Sequence, residues 1–277
     1  MNQLDVLDRF RLTGRTALIT GAGRNIGAAI AQGYAEAGAD LLLVDKDKEA
    51  VDAVAEGVRR TTGRHVAVVH CDVGAASAVE QILAVAQEHF TVVDILVNDA
   101  LAFGAAGTHS ADVTLDEWQA ALDVNLLAPA RLSAAFVRTL VGDGEGVIVN
   151  LLSGAGFAPV PLAAPYSVSK AALWMLTRCF ARDCAPRIRV NGLCPGTMTP
   201  DGVPRTEELR KATPMGRGGR ADEAVGAAIF LASAASSYST GDIVFVNGGF
   251  THLAGYGDEV ISGDPVGHPR ERGGCQA

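Results

Sequence analysis

Two rhythms of apolar and polar positions alternate along this chain. Short, nearly unbroken apolar runs at residues 16–20, 40–44, 65–71, 94–97, 147–151, 189–193 and 243–246 predict strands buried on both faces. Between them lie helical patterns. Residues 26–37 are Ala-rich and stop at Gly38, residues 46–62 stop at Gly63, and residues 75–90 carry their charges on one side. Longer helical stretches follow at 115–139, with a disturbance expected at Pro129, then at 163–184 and 222–233. The alternation predicts right-handed βαβ units and a doubly wound parallel α/β sheet of about seven strands with helices on both faces. Ligands bind beyond the carboxyl ends of such strands, so Gly21, Asp45, Asp72, Asn98, Ser153 and Pro195 are expected to converge on one crevice.

Composition narrows the picture. A chain of 277 residues with 48% hydrophobic content can bury one large core. Residues 1–249 read as a single dinucleotide-binding and catalytic domain. Residues 250–277, rich in Gly, Pro and charge, read as a C-terminal extension that is either flexible or folded over a substrate mouth from Phe250 to Ile261. A net charge of −8 leaves no electrostatic footprint for nucleic acid. No apolar stretch reads as long enough to span a bilayer, and the N-terminus is charged, so no membrane partner is expected and the cytoplasm is the expected location. Cys71, Cys179, Cys184, Cys194 and Cys275 form no CxxC pair and read as reduced core thiols, while the six histidines show no ligand spacing, so no metal is expected.

TGAGRNIG, from Thr20 to Gly27, follows the first strand and opens the first helix. Gly21, Arg24, Asn25, Ile26 and Gly27 thus fit a phosphate-binding turn, where glycines admit a close approach and the helix N-terminus favours an anion. Asp45, at the end of the second strand, fits the adenosine ribose hydroxyls and repels a ribose phosphate, which favours NAD over NADP. Arg24 and Lys46 pull the other way, toward that phosphate or simply toward solvent. Asp72 and Val73 fit the adenine edge, although Asp72 equally fits a helix N-cap.

SGAGFAPVPLAAPYSVSK holds Ser153, Tyr166 and Lys170. A phenol is a poor acid near neutral pH, and an ammonium one helical turn away favours its ionised form. Tyr166 is therefore the candidate proton carrier. Asn125 lies within a helical stretch, either facing solvent or at a distortion where it holds a water linked to Lys170.

In order and separation, these residues resemble the short-chain dehydrogenases/reductases over roughly residues 12–249. The resemblance rests on TGAGRNIG, the CDV after the third strand, Asn98 with Ala100, Asn125, Ser153, YSVSK, and Pro195 with Gly196. It implies a Rossmann-like NAD-dependent oxidoreductase acting on a small-molecule alcohol or carbonyl substrate. In it Tyr166 moves the hydroxyl proton, Ser153 holds the substrate oxygen, Lys170 binds the nicotinamide ribose, and Asn125 anchors a relay water. Asn98 and Ala100 would lie at the cofactor floor, while Pro195, Gly196, Thr197, Met198 and Thr199 would flank the nicotinamide ring. An isomerase or lyase reusing bound NAD, or a non-catalytic regulator, are the alternative functions. The chain departs from the family pattern at Asn25, which stands for a glycine, at Asp99 and Leu101 within the family's NNAG, and at Thr199, one residue early.

The segment 197–217 hints at a polar substrate through Arg205, Arg210 and Lys211, while the apolar residues before Tyr166 hint at a hydrophobic wall. Helical stretches 122–140 and 164–184 are rich in Ala and Leu on more than one face, which predicts burial against another subunit. The resemblance implies a homotetramer.

Overall fold

A computed structural model describes residues 5–141, 144–203 and 206–250. Seven strands form one parallel sheet: β1 (Thr16–Thr20), β2 (Asp40–Asp45), β3 (Val66–His70), β4 (Ile95–Asn98), β5 (Gly146–Leu151), β6 (Ile188–Pro195) and β7 (Ile243–Val246). Their order, β3-β2-β1-β4-β5-β6-β7, reverses direction between β1 and β4. Each run of apolar residues became a strand because it is covered on both faces. Along β1, Ala17 and Ile19 join the core on one side and Leu18 the core on the other; β2 divides likewise, with Leu41 and Leu43 opposite Leu42 and Val44.

The first face is covered by α1 (Asn25–Glu36), α2 (Lys48–Thr62) and α8 (Val225–Ala232), through Ile30, Tyr34, Val51 and Leu231. The second is covered by α3 (Ala78–His89), α5 (Ala128–Ala135) and α6 (Ala164–Cys184), through Ile82, Leu132 and Ala181. Helix α4 (Leu115–Leu122) starts at a capping box between Thr114 and Glu117. A short α7 (Glu207–Ala212) lies within the segment 197–217, where the apolar pattern marks no helix. Its Thr206 cap, accepting from Leu209 N, is a signal the apolar pattern does not carry.

The stretch 115–139 is helical throughout, yet the disturbance lies around Pro129 rather than at it. Residues Asp123–Leu127 and Phe136–Leu140 are π-helical, and α5 runs between them. Pro129 has no N–H to give the Asn125 carbonyl four residues earlier, and the widened turn shifts the ladder so that Ala128 N donates to Asp123 O. Leu115–Thr139 also corrects the expectation about bilayer length. By length and composition alone it passes as a span, with mean hydropathy 1.3 over its most apolar window. Leu132 and Phe136 of this stretch pack into the core on the second face of the sheet. The described thiols are free, but Cys179 is exposed rather than core; Cys275 lies outside the described residues.

Candidate active site

The chain turns sharply after β1 because two glycines permit it. Gly21 has φ 68°, and a Cβ there would stand 2.8 Å from Ala100 N. A Cβ on Gly27, in the first turn of α1, would stand 2.3 Å from Gly21 O. Strand end, turn and helix start are thereby pressed together, which leaves backbone N–H groups facing a cleft. Asn25 adopts φ 47°, the left-handed conformation its short amide tolerates, so the missing middle glycine does not disrupt the turn.

The cleft opens into a cavity of about 440 Å³ at the point where the strand order reverses. Of the expected cofactor and catalytic residues, Gly21, Arg24, Asn25, Ile26, Asp45, Asp72, Val73, Ala100, Ser153, Tyr166, Lys170, Pro195, Gly196 and Met198 line it. Asp45 Oδ2 accepts from Gly23 N at 2.9 Å and its Oδ1 accepts from Asp47 N at 3.0 Å. Arg24 is drawn away from the second strand's carboxylate into an ion pair with Asp47. Asp72 is not a helix N-cap: α3 starts after Ser77, and Asp72 instead accepts from Gly74 N at 2.9 Å. Lys46 approaches Asp72 at 3.8 Å.

Five expected residues lie off the wall of that cavity. Gly27 supports the turn from behind. Asn98 is buried in the sheet, its Nδ2 donating to Asn150 Oδ1 at 2.8 Å, and Asn150 Nδ2 donates onward to Thr177 Oγ1 at 2.9 Å. The side chain at the last position of β4 is thus spent on the sheet, because the pleat turns it away from the crevice. Thr197 lines a smaller cavity of about 210 Å³, which meets the first at Gly196 and Met198. Thr199 is buried, its N–H donating to Gly219 O at 2.8 Å and its hydroxyl finding no partner among the described residues. Asn125 is wholly buried and faces no solvent.

Asn125 closes a link between elements. Its Oδ1 accepts from Ala102 N at 2.8 Å, its Nδ2 donates to Ala102 O at 2.6 Å and to Ser169 Oγ at 2.9 Å, and Ser169 Oγ donates to Tyr166 O at 2.8 Å. The amide therefore fixes both the irregular segment after β4 and the first turn of α6. Ser169, one helical turn beyond Tyr166 in YSVSK, and Ala102 escape a reading of motifs; the i, i+3 spacing of Ser169 was the available signal.

Helix α6 carries Tyr166 and Lys170 on one face, as their spacing predicts. Lys170 is buried, donates from Nζ to Leu151 O at 2.7 Å, and lies 5.9 Å from the centre of the Tyr166 ring. Ser153 caps a short turn by accepting from Ala155 N at 3.2 Å, and its hydroxyl reaches the phenol. Burial raises the Tyr166 phenol above its ordinary value, and the Ser153 hydrogen bond opposes that rise without cancelling it. The sequence expectation of a depressed phenol is corrected to this extent: desolvation outweighs the neighbours. Burial also lowers Lys170 to about 8. Phe103, which the motifs do not mark, stands with its ring centre 4.8 Å from that of Tyr166 and lines the cavity with Leu101 and Leu152.

A cleft lined by a glycine turn at a helix start, the Asp45 carboxylate, and Ser153, Tyr166 and Lys170 fits a nicotinamide dinucleotide in size and chemistry. The family model described as enoyl-(acyl carrier protein) reductase matches residues 21–251. Galactitol 2-dehydrogenase (L-tagatose-forming) of Cereibacter sphaeroides is 37% identical over 259 residues, 90% of this chain and 99% of that protein. The crystal structure of a gluconate 5-dehydrogenase from Burkholderia cenocepacia, in complex with NADP and tartrate, superposes with TM-score 0.81 at 37% identity, covering 89% of this chain and 99% of that one. A short-chain type dehydrogenase/reductase from Mycobacterium marinum does so with TM-score 0.83 at 33% identity, over 90% and 100%. The chain belongs to the short-chain dehydrogenase/reductase family and is a nicotinamide-dependent oxidoreductase acting on CH–OH groups.

Proposed function

We propose that this short-chain dehydrogenase/reductase interconverts a secondary alcohol and its ketone with NAD, using Tyr166 as the proton carrier. The observation that supports this most is the meeting of Ser153, Tyr166 and Lys170 in the same cavity as the glycine turn and Asp45. A nicotinamide held by these residues would supply the acceptor, or in reduction the donor, of the hydride at the carbinol carbon. The hydroxyl proton of an alcohol passes to the Tyr166 oxygen, and in reduction it returns from there. Ser153 donates to the substrate oxygen and holds it in line with the phenol. Lys170 holds the ribose next to the ring and, as an ammonium, favours the phenolate.

Asn125 anchors the water that carries the proton onward, and it does so through its carbonyl. Its amide is already committed to Ala102 and Ser169, whereas Pro129 denies the carbonyl its helical partner. On the cofactor side, the turn residues Gly21, Arg24, Asn25 and Ile26 would cradle the diphosphate with Gly27 behind them, Asp72 and Val73 would frame the adenine, and Ala100 the floor, which Asn98 braces from within the sheet. Pro195, Gly196, Thr197 and Met198 would flank the nicotinamide, with Thr199 behind them and tied to Gly219. NAD is preferred because Asp45 sits where a ribose phosphate would go, while Arg24 is engaged by Asp47.

Residues 1–249 act as one catalytic domain in the cytoplasm. The chain assembles as a homotetramer, with exposed Leu127, Val168 and Met175 on the later helices covered by other subunits. The extension after Phe250 lies outside the described residues. The names of the relatives make polyols the first secondary alcohols to assay, with NAD and NADP in parallel. Tyr166→Phe keeps the ring and removes the proton carrier. It is expected to lower kcat on the order of a thousandfold or more while leaving cofactor affinity within a few-fold. Turnover near that of the unaltered enzyme overturns the proposal.

A further inference from the structure

Asp99 is the departure from the family pattern that the reaction described above does not use. It follows β4, its N–H donates to Thr20 Oγ1 at 3.1 Å, and its half-buried carboxylate lines the cavity that also holds Lys170 and Tyr166. The carboxylate accepts from the Gly27 N–H in the first turn of α1. A Cβ on Gly27 would come within 2.6 Å of Asp99 Oδ2, so the carboxylate is packed against the turn rather than free to swing away. Among the described residues no cation forms an ion pair with it, and Lys170 Nζ is hydrogen-bonded to Leu151 O. A half-buried carboxylate and a buried ammonium thus share one cavity.

Resting on the roles of Tyr166 and Lys170 given above, we propose that Asp99 is the counter-charge of Lys170, a positioning residue that sets the pH range over which Tyr166 moves its proton. A negative charge in a low-dielectric cleft makes it harder for every neighbouring acid to lose a proton. The groups within its electrostatic reach are Lys170 and Tyr166 from α6, Asp45 from β2, and the Gly27 amide from α1; Cys194 of β6 lies within reach of Lys170 and Tyr166. The mutual effects agree in sign. Asp99 raises both Lys170 and Tyr166, and burial lifts Asp99 itself to about 7 against the opposing pull of Lys170. Cys194 is pushed up to about 12 by burial, so it stays a neutral thiol throughout.

Asp99→Asn tests this. The amide keeps the size of the side chain and an oxygen for the Gly27 N–H, and an amide is what the family's NNAG carries at this position, so the fold is retained. Removing the charge lowers the pKa of Tyr166 and of Lys170 together. Both limbs of the pH profile of kcat/KM are therefore expected to move to lower pH, by about half a unit to one unit. Asp99→Ala removes the Gly27 contact as well, and is expected to give the same shift plus a lower kcat/KM at every pH. Limbs that keep their positions in both variants, with or without a uniform loss of activity, overturn the inference and leave Asp99 a structural residue. If Tyr166→Phe is inactive while Asp99→Asn leaves the limbs in place, only this inference falls; if Tyr166→Phe turns over normally, the proton-carrier reading falls first.

Discussion

The two ends of the cavity are built on different principles. At the adenosine end, Arg24, Lys46 and Asp72 are exposed, and their charges meet in surface ion pairs such as Arg24 with Asp47 and Lys46 with Asp72. At the catalytic end, Asn125, Ser169 and Lys170 are buried, and the side chains of Asn125 and Lys170 tie different elements of the fold together, Asn125 to Ala102 and Ser169, and Lys170 to Leu151. An exposed ion pair contributes about 0–1 kcal/mol, whereas a buried polar group left without its partner costs about 1–3 kcal/mol. One end can therefore change its charges with little consequence for folding. The other cannot.

The strongest test of that difference is Asn125→Ala. It leaves the Ala102 peptide and the Ser169 hydroxyl without their partner and frees the segment that carries Leu101 and Phe103. We expect a fall in kcat of about a hundredfold and a loss of about 3 kcal/mol of stability, read from the denaturant midpoint. An unchanged midpoint would mean that the buried link is dispensable and that the two ends are alike. Asp45→Ser is the matching change at the other end. It is expected to shift the NAD to NADP ratio of kcat/KM about tenfold toward NADP, with the melting temperature moving by little. A melting temperature that falls as far as for Asn125→Ala would erase the contrast.

Asp99 lies between the two ends and gives the smallest effect, in stability rather than rate. Its folded value of about 7 lies above the ordinary carboxylate range, because burial penalises the charged form. Its contribution is fully present below the unfolded value of about 4 and is lost as pH rises through about 7. Asp99→Asn does not ionise, so its melting temperature should exceed that of the unaltered protein by about 3 °C at pH 8. The excess should shrink as the pH is lowered toward 5. A difference independent of pH would show that the carboxylate is not the cause.

Much of this was legible before any tertiary contact was known. The seven apolar runs became seven strands within about two residues at each end, because a strand buried on both faces must be apolar at every position. The glycine turn, Asp45, and the pair Tyr166 and Lys170 are likewise local in sequence, and local spacing fixes their faces. The Asn125 distortion was half legible. Pro129 announced a break, but the turn that widened is the one before it, where the missing N–H would have bonded.

The sequence by itself determined the doubly wound sheet, the place of the cleft and the identity of its chemical groups, since strand periodicity, turn chemistry and one-turn spacing all act within a few residues. Tertiary structure alone decided which groups meet. Asn98 turned into the sheet toward Asn150, Phe103 came against Tyr166, and Asp99, just after β4, came to share a cavity with Lys170 of α6. These pairings join residues far apart in the chain, and their energies depend on burial, which exists only once the sheet has closed and its helices have packed. The same burial raised the phenol that spacing alone predicts to be lowered.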